Sequence, residues 1–338
     1  MSDPIVTTIT ASETPAPGRP VRPANLGTVG KIRWNVRHPP ADPTDVSFAG
    51  KTVLVVGANT GVGFEAAVKY AAQGASRLIL GIRTREKGED TKARILARVN
   101  ADNNTKKQRD PNSISYLLVD LCTFVSVQKF AIALEREVFP EGGDGNGSGL
   151  DVALLNAGVS TTVYSLSPEG WDVSAQVNAL STSLLAILIL PLLRRTAVAD
   201  PSRVPTHLTF VSSYGTEMVK RSSLEKYDYS PLEMVNDPKG WFGFTAYTVN
   251  KLMGMIMMRH LAEQVTKEGG GVVVNATCPG MCKTDLGRDI PRPVRAVVGV
   301  AFSLVQRSAE EGGRSLVSAT ALGPESHGRF WHNDVLYP

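Results

Sequence analysis

From Lys51 onward, short runs in which nearly every residue is apolar alternate with longer segments of helical period, and this alternation restricts the fold more than any other feature. The runs are TVLVVG from Thr52, RLILGI from Arg77, SISYLLVD from Ser113, LDVALLNA from Leu150, THLTFVSS from Thr206 and GVVVNATCPG from Gly271. Helix-period segments lie at 61–73, 85–99, 124–138, 169–195 and near 244–266. Strands that are apolar on both faces must be covered by helices on both faces. The expectation is a single-domain α/β fold over 49–338, a Rossmann-type doubly wound parallel sheet with helices on both sides.

Three loops interrupt the rhythm. Residues 101–112 read as a polar surface excursion and 139–149 as a Gly-rich connector. The insertion 214–241 carries Tyr227, Tyr229 and Trp241 and suits a substrate rim, with 281–307 as a second rim or lid segment. Residues 1–48 are rich in proline ("TPAPGRPVRP", "HPPADP") and poor in large apolar side chains, so they read as a flexible arm.

Composition excludes several classes of function. The net charge of +4, from 36 basic against 32 acidic residues, is too slight and too evenly spread for a nucleic-acid surface. Cys122, Cys278 and Cys282 are odd in number and lack clustered histidines, so no metal site is expected; free thiols suit a reducing, cytoplasmic setting. The longest apolar run, Leu184 to Leu193, contains Pro191 and falls well short of the ~20 residues that cross a bilayer. Neither a membrane span nor a nucleic-acid partner is expected, which leaves a small molecule.

The first apolar run ends in Gly57-Ala-Asn59-Thr60-Gly61-Val62-Gly63. Glycines between a strand and a helix let backbone approach a ligand closely, and the helix start presents unpaired N–H groups and a positive dipole end. A dinucleotide pyrophosphate fits such a turn. NAD-binding proteins place an acid about 20 residues further on, at the end of the second strand. Ile82 and Arg83 stand there instead, and a guanidinium suits a ribose phosphate, so NADP is expected rather than NAD. The bland alternative is that Arg83 is a solvated residue at a helix start.

Tyr247 and Lys251 are four residues apart in a helical segment, hence one turn apart on one face. An ammonium beside a phenol lowers the phenol pKa from ~10 toward working pH. Ser212 and Ser213 end the fifth run at the carboxyl edge of the sheet, where ligands bind in this architecture. LLNAG at 154–158 ends another strand there, and Asn178 sits in a long apolar helix where a buried amide needs partners. Taken singly, each has an ordinary structural reading as surface pair, cap or core amide.

In order along 50–335, these features resemble the short-chain dehydrogenase/reductase family: G-x-x-x-G-x-G at Gly57, Gly61 and Gly63, VDL at 119–121, NAG at 156–158, VN at 177–178, VSS at 211–213, Tyr247-x-x-x-Lys251 and CPGMCKT at 278–284. The GANTGVG and GIRTREKGE segments look most like the retinol-dehydrogenase and WW-oxidoreductase-like branch and the fungal reductases near it. The resemblance implies that Tyr247 is the proton donor or acceptor and Lys251 its pKa-lowering partner and ribose ligand. It further implies that Ser213, rather than Ser212, orients the carbonyl and that Asn178 anchors a water relay. Asp120 and Leu121 would lie by the adenine, Asn156, Ala157 and Gly158 would line the cofactor, and Pro279, Gly280 and Thr284 would form the nicotinamide-side loop. Two departures are Val56, where the family usually has threonine, and the long interval between Ser213 and Tyr247.

The expected activity is therefore an NADP(H)-dependent interconversion of a carbonyl and an alcohol on a hydrophobic small molecule, a ketoreductase or alcohol dehydrogenase of secondary or lipid metabolism. A homodimer could form through the apolar helices after Trp171 and around Met253–Met258. The alternatives are a non-catalytic dinucleotide-binding regulatory module and a sugar-nucleotide epimerase or dehydratase.

Overall fold

The computed structural model describes residues 14–20, 23, 26–101, 108–141, 149–203, 205–283 and 306–338. In chain order the strands are β1 (Thr14–Pro15), β2 (Thr52–Val56), β3 (Arg77–Ile82), β4 (Ile114–Leu118), β5 (Val152–Leu155), β6 (Thr206–Val211), β7 (Val272–Cys278), β8 (Phe330–His332) and β9 (Val335–Tyr337). The helices are α1 (Thr28–Arg37), α2 (Gly61–Ala72), α3 (Arg85–Asn100), α4 (Phe124–Val138), α5 (Val173–Ala199), α6 (Pro231–Asn236), α7 (Gly243–Lys267) and α8 (Ala309–Ala319).

The six apolar runs form the parallel body of one sheet, ordered β4-β3-β2-β5-β6-β7. Every residue of β2, β5, β6 and β7 is buried, as strands covered on both faces must be. Leu54, Val56 and Ala153 point to the layer of α4, α5 and α7. Val53, Val55 and Leu154 point to the layer of α2, α3 and α8. The strand order reverses between β2 and β5, and the crevice at their carboxyl ends is where a doubly wound sheet takes its ligand. Beyond β7 the sheet gains β8, parallel to it, and then β9 and β1, each antiparallel to its neighbour. The expectation of a parallel sheet thus holds for the body and not for this edge, where runs of two or three residues carry too little pattern to read.

The segment before Phe48 departs from the flexible-arm expectation in its described part. β1 extends the sheet, and Phe48, with no exposed surface, packs edge-on against Tyr70 with ring centroids 4.8 Å apart. Arg19 pairs with Asp334 at 2.9 Å, and the Ala41 N–H donates to the same carboxylate at 2.8 Å. Polar anchors and one aromatic plug hold a strap that apolar content alone did not reveal.

α5 is long and apolar enough to cross a membrane, yet 67% of its most apolar window is buried within the fold against α4, α7 and β6. It contains a wide π turn at Gln176–Ser181. The 214–241 insertion forms short 3-10 turns and α6, and its Val219, Leu232, Val235 and Trp241 pack against Ala175, Ala246 and Val249 at the start of α5 and α7. Residues 102–107, 142–148 and 284–305, which hold parts of three expected loops, lie outside the described residues.

Candidate active site

The glycine turn between β2 and α2 has the shape that a phosphate cradle requires. Gly57 is left-handed at φ 83°, and a side chain there would come within 2.7 Å of the Ala157 Cα. Gly61 is left-handed at φ 59°. A side chain on Gly63 would collide with the Asn156 amide, whose Nδ2 donates to Gly57 O at 2.8 Å. Asn156 thus holds the turn, and Ala157 packs beneath it. Thr60, with Asn59 and Val62 on either side of Thr60 and Gly61, occupies the N-cap of α2 without capping it through its side chain, which leaves the first N–H groups of a three-turn helix for a ligand. These residues fit a dinucleotide pyrophosphate.

Arg83 is exposed just past the end of β3, on the same sheet edge. Asp120 follows β4, and its carboxylate accepts the Cys122 N–H at 3.0 Å, while Leu121 is buried in the core below. Pro279 and Gly280 follow β7, with Gly280 left-handed at φ 79°. Thr284 lies outside the described residues.

Ser213, Tyr247, Lys251 and Asn178 converge beside this edge. The Ser213 hydroxyl lies beside the Tyr247 phenol and favours its ionised form, and it accepts the Gly215 N–H at 3.1 Å. Lys251 Nζ lies 5.9 Å from the Tyr247 ring centroid and donates to Val211 O at 2.8 Å. Ser212 faces the other way, its hydroxyl donating to Lys251 O at 3.3 Å. Asn178 sits in the π turn and clasps the chain after β5: its Oδ1 accepts from Val159 N at 2.9 Å and its Nδ2 donates to Val159 O at 2.7 Å. A side chain on Gly158 would come within 2.9 Å of Asn178 Oδ1 and 3.3 Å of Lys251 Nζ, so glycine keeps the space between amide and ammonium open.

Burial dominates the protonation of this group. It raises the Tyr247 phenol above its ordinary value, with Cys278 adding to the rise and the neighbouring Ser213 hydroxyl opposing it. It pulls the Lys251 ammonium down to about 8. The expectation that Lys251 lowers the phenol pKa is not met here: burial is the largest influence on the phenol, and Ser213 is the group that opposes it. At neutral pH the pair is a protonated phenol beside a charged lysine, an arrangement that can hand a proton to an oxygen placed against both hydroxyls.

Sequence reasoning missed the buried thiol of Cys278. Its Sγ accepts N–H groups from Tyr214 and Gly280, both at 3.3 Å, tying the residue after Ser213 to the Pro279-Gly280 loop. Its position directly before Pro279-Gly280 was the available signal. Among the described residues no cluster of histidine, cysteine or carboxylate could hold a metal ion.

A short chain dehydrogenase family profile matches residues 51–200. The short-chain dehydrogenase/reductase ffsI of Aspergillus flavipes is 42% identical over 302 residues, covering 89% of this chain and 82% of its own. The short-chain dehydrogenase/reductase phmF of Phaeosphaeria nodorum is 41% identical over 307 residues, covering 90% and 84%. Among solved structures, the RhlG/NADP active-site complex of Pseudomonas aeruginosa superposes with a TM-score of 0.61 at 22% identity, over 85% of this chain and 95% of that one. Fold and relatives together define an oxidoreductase that works between carbonyls and alcohols. The chain belongs to the short-chain dehydrogenase/reductase family, whose members bind a nicotinamide dinucleotide.

Proposed function

We propose that the protein is an NADP(H)-dependent ketoreductase or alcohol dehydrogenase acting on a hydrophobic small molecule. The observation that carries this reading is the convergence of Tyr247, Lys251 one helical turn further on and Ser213 at the end of β6, beside a glycine turn that fits a dinucleotide. The cofactor, when bound, supplies or takes up the hydride. The Ser213 and Tyr247 hydroxyls are donors already in place for a carbonyl oxygen, and they stabilise the negative charge that develops on it. Tyr247 gives up its proton to that oxygen, and Lys251, with Asn178 across the Gly158 gap, stands behind the phenol to restore it. In the reverse direction Tyr247 accepts the alcohol proton.

Gly57, Asn59, Thr60, Gly61, Val62 and Gly63 would hold the pyrophosphate, Asp120 and Leu121 the adenine side, and Asn156, Ala157, Gly158, Pro279 and Gly280 the nicotinamide side. Arg83 would pair with the 2′-phosphate, which favours NADP(H). The exposed Val163, Met218, Phe242, Phe244 and Met281, on segments that flank the site, favour an apolar substrate. The fungal origin of the two relatives favours one from secondary metabolism.

The test is a panel of hydrophobic ketones, aldehydes and alcohols followed by cofactor absorbance, with NADPH and NADH titrated separately. Tyr247→Phe should bind NADPH normally and lose about 10²–10⁴-fold in turnover. Arg83→Ala should weaken NADPH selectively. Near-normal turnover by Tyr247→Phe, or tighter binding of NADH by the unmutated protein, would contradict the mechanism or the cofactor, respectively.

A further inference from the structure

We propose that His332, gripped by Asn35 of the N-terminal strap and seconded by Arg307, is a positioning node for the loop Cys278-Pro279-Gly280 and for the strand end that carries Ser213. The inference rests on the reading of that loop as cofactor-binding.

The His332 ring is defined from both sides. Nδ1 lies 3.2 Å from Cys278 O. A carbonyl only accepts, so Nδ1 carries the proton and Nε2 is the acceptor. Asn35 Nδ2, 3.1 Å from Nε2, is the donor that this neutral tautomer requires. The Tyr214 ring stacks on the imidazole with centroids 5.0 Å apart and planes at 28°. Tyr214 directly follows Ser213, and its N–H donates to Cys278 Sγ. One ring therefore fixes the carbonyl of the residue that opens the loop and the aromatic next to Ser213.

Arg307 works in parallel. Its side chain is buried, and Nη2 donates to Asn35 O and to Asn333 Oδ1. Nη1 has no hydrogen-bond partner among the described residues and stands 3.0 Å from where a Gly280 side chain would begin, so the guanidinium backs the loop at its left-handed residue. The Arg307 backbone pairs with the same loop further on, donating to Met281 O at 2.7 Å and accepting from Lys283 N at 2.9 Å. Asn333 and Asp334, both left-handed without being glycine at φ 54° and 58°, form the turn whose side chains meet Arg307 on one side and Arg19 and Ala41 of the strap on the other. These two residues are the two-residue hairpin turn between β8 and β9, a place where Asn and Asp readily take left-handed backbone. The strap thus contributes one asparagine twice, its side-chain amide to His332 and its backbone carbonyl to Arg307, the two residues that back a loop more than 200 residues away in sequence.

The experiment compares Asn35→Leu, His332→Leu and His332→Asn with the unmutated protein, measuring the NADPH dissociation constant by fluorescence titration and thermal unfolding in parallel. Asn35→Leu and His332→Leu should weaken NADPH by about tenfold, the scale of one lost buried hydrogen bond. His332→Asn keeps an N–H near the former Nδ1 and should stay within about threefold of the unmutated affinity, while unfolding at the same temperature as His332→Leu. Wild-type NADPH affinity in both leucine variants overturns the proposal, as does a His332→Asn protein no better than His332→Leu. If either leucine variant fails to fold, the other decides. An unmutated protein that binds no NADPH overturns the cofactor reading itself, and this inference with it.

Discussion

Ser212 and Ser213 are neighbours in the chain and do different things, because successive side chains at a strand end leave on opposite faces. Ser212 is 5% exposed and ties β6 to the α7 backbone at Lys251, whereas Ser213 meets the Tyr247 phenol. Ser213→Ala should lower kcat/KM by about 10²-fold or more, the size of one lost oxyanion donor. Ser212→Ala should leave turnover near normal and cost about 1 kcal/mol of stability. Steady-state kinetics and thermal melts on the two variants check this, and the opposite pattern would move the catalytic role to Ser212. Lys251 adds a pH signature. Its folded pKa of about 8 lies below the ~10.4 of an unfolded lysine, so burying this ammonium opposes folding fully below pH 8, and the penalty fades as pH rises toward the unfolded value.

At the scale of elements, the strap changes what a truncation should do. A free arm would tolerate deletion of residues 1–44. Here that deletion removes β1, α1 and the polar anchors on Asp334, and it should lower the unfolding temperature and loosen the β8–β9 edge. Phe48 sits at the strap's end with no exposed surface, against Tyr70 and beside the turn after α2, where its N–H donates to Gln73 O at 2.9 Å. Phe48→Ala should cost about 3–5 kcal/mol in urea unfolding, as large-to-small changes in a packed core do. A loss below about 1 kcal/mol would show that the strap lies on the surface of the fold and not within it.

For the whole molecule, a buried histidine at the amino edge of the sheet contributes to the response to acid. His207 on β6 is 3% exposed, with Nε2 2.8 Å from Leu322 O, and burial pulls its pKa down to about 4. The unfolded chain, with a histidine near 6.5, binds more protons between those values. The stability that neutral His207 allows is therefore complete above pH 6.5 and is lost as pH falls toward 4, by about 3 kcal/mol in all. Asp172 and Asp334, whose carboxyls burial raises, act in the opposite direction. Urea unfolding at pH 7, 5.5 and 4.5 should show a shallower acid loss in His207→Gln than in the unmutated protein. Identical slopes would assign the acid limb to other groups.

What was legible in the chain follows the range of the forces involved. β2 to β7 and their helices were readable because burial on two faces writes a continuous apolar run into each strand and a helical period into each cover. The glycine turn was readable because its backbone demands lie within seven residues, and the Tyr247–Lys251 pair because both sit on one helix. The short edge strands β1, β8 and β9 and the strap were not, since two or three residues hold no period and polar anchors such as Arg19 to Asp334 leave no local mark. The sequence by itself determined the doubly wound sheet and the placing of the glycine turn after its first parallel strand, and it nominated the residues proposed for the chemistry, all from local pattern. Only the tertiary structure decided which serine lies beside Tyr247, that the phenol is buried, and that Asn35 reaches His332, because each depends on contacts between segments far apart in the chain.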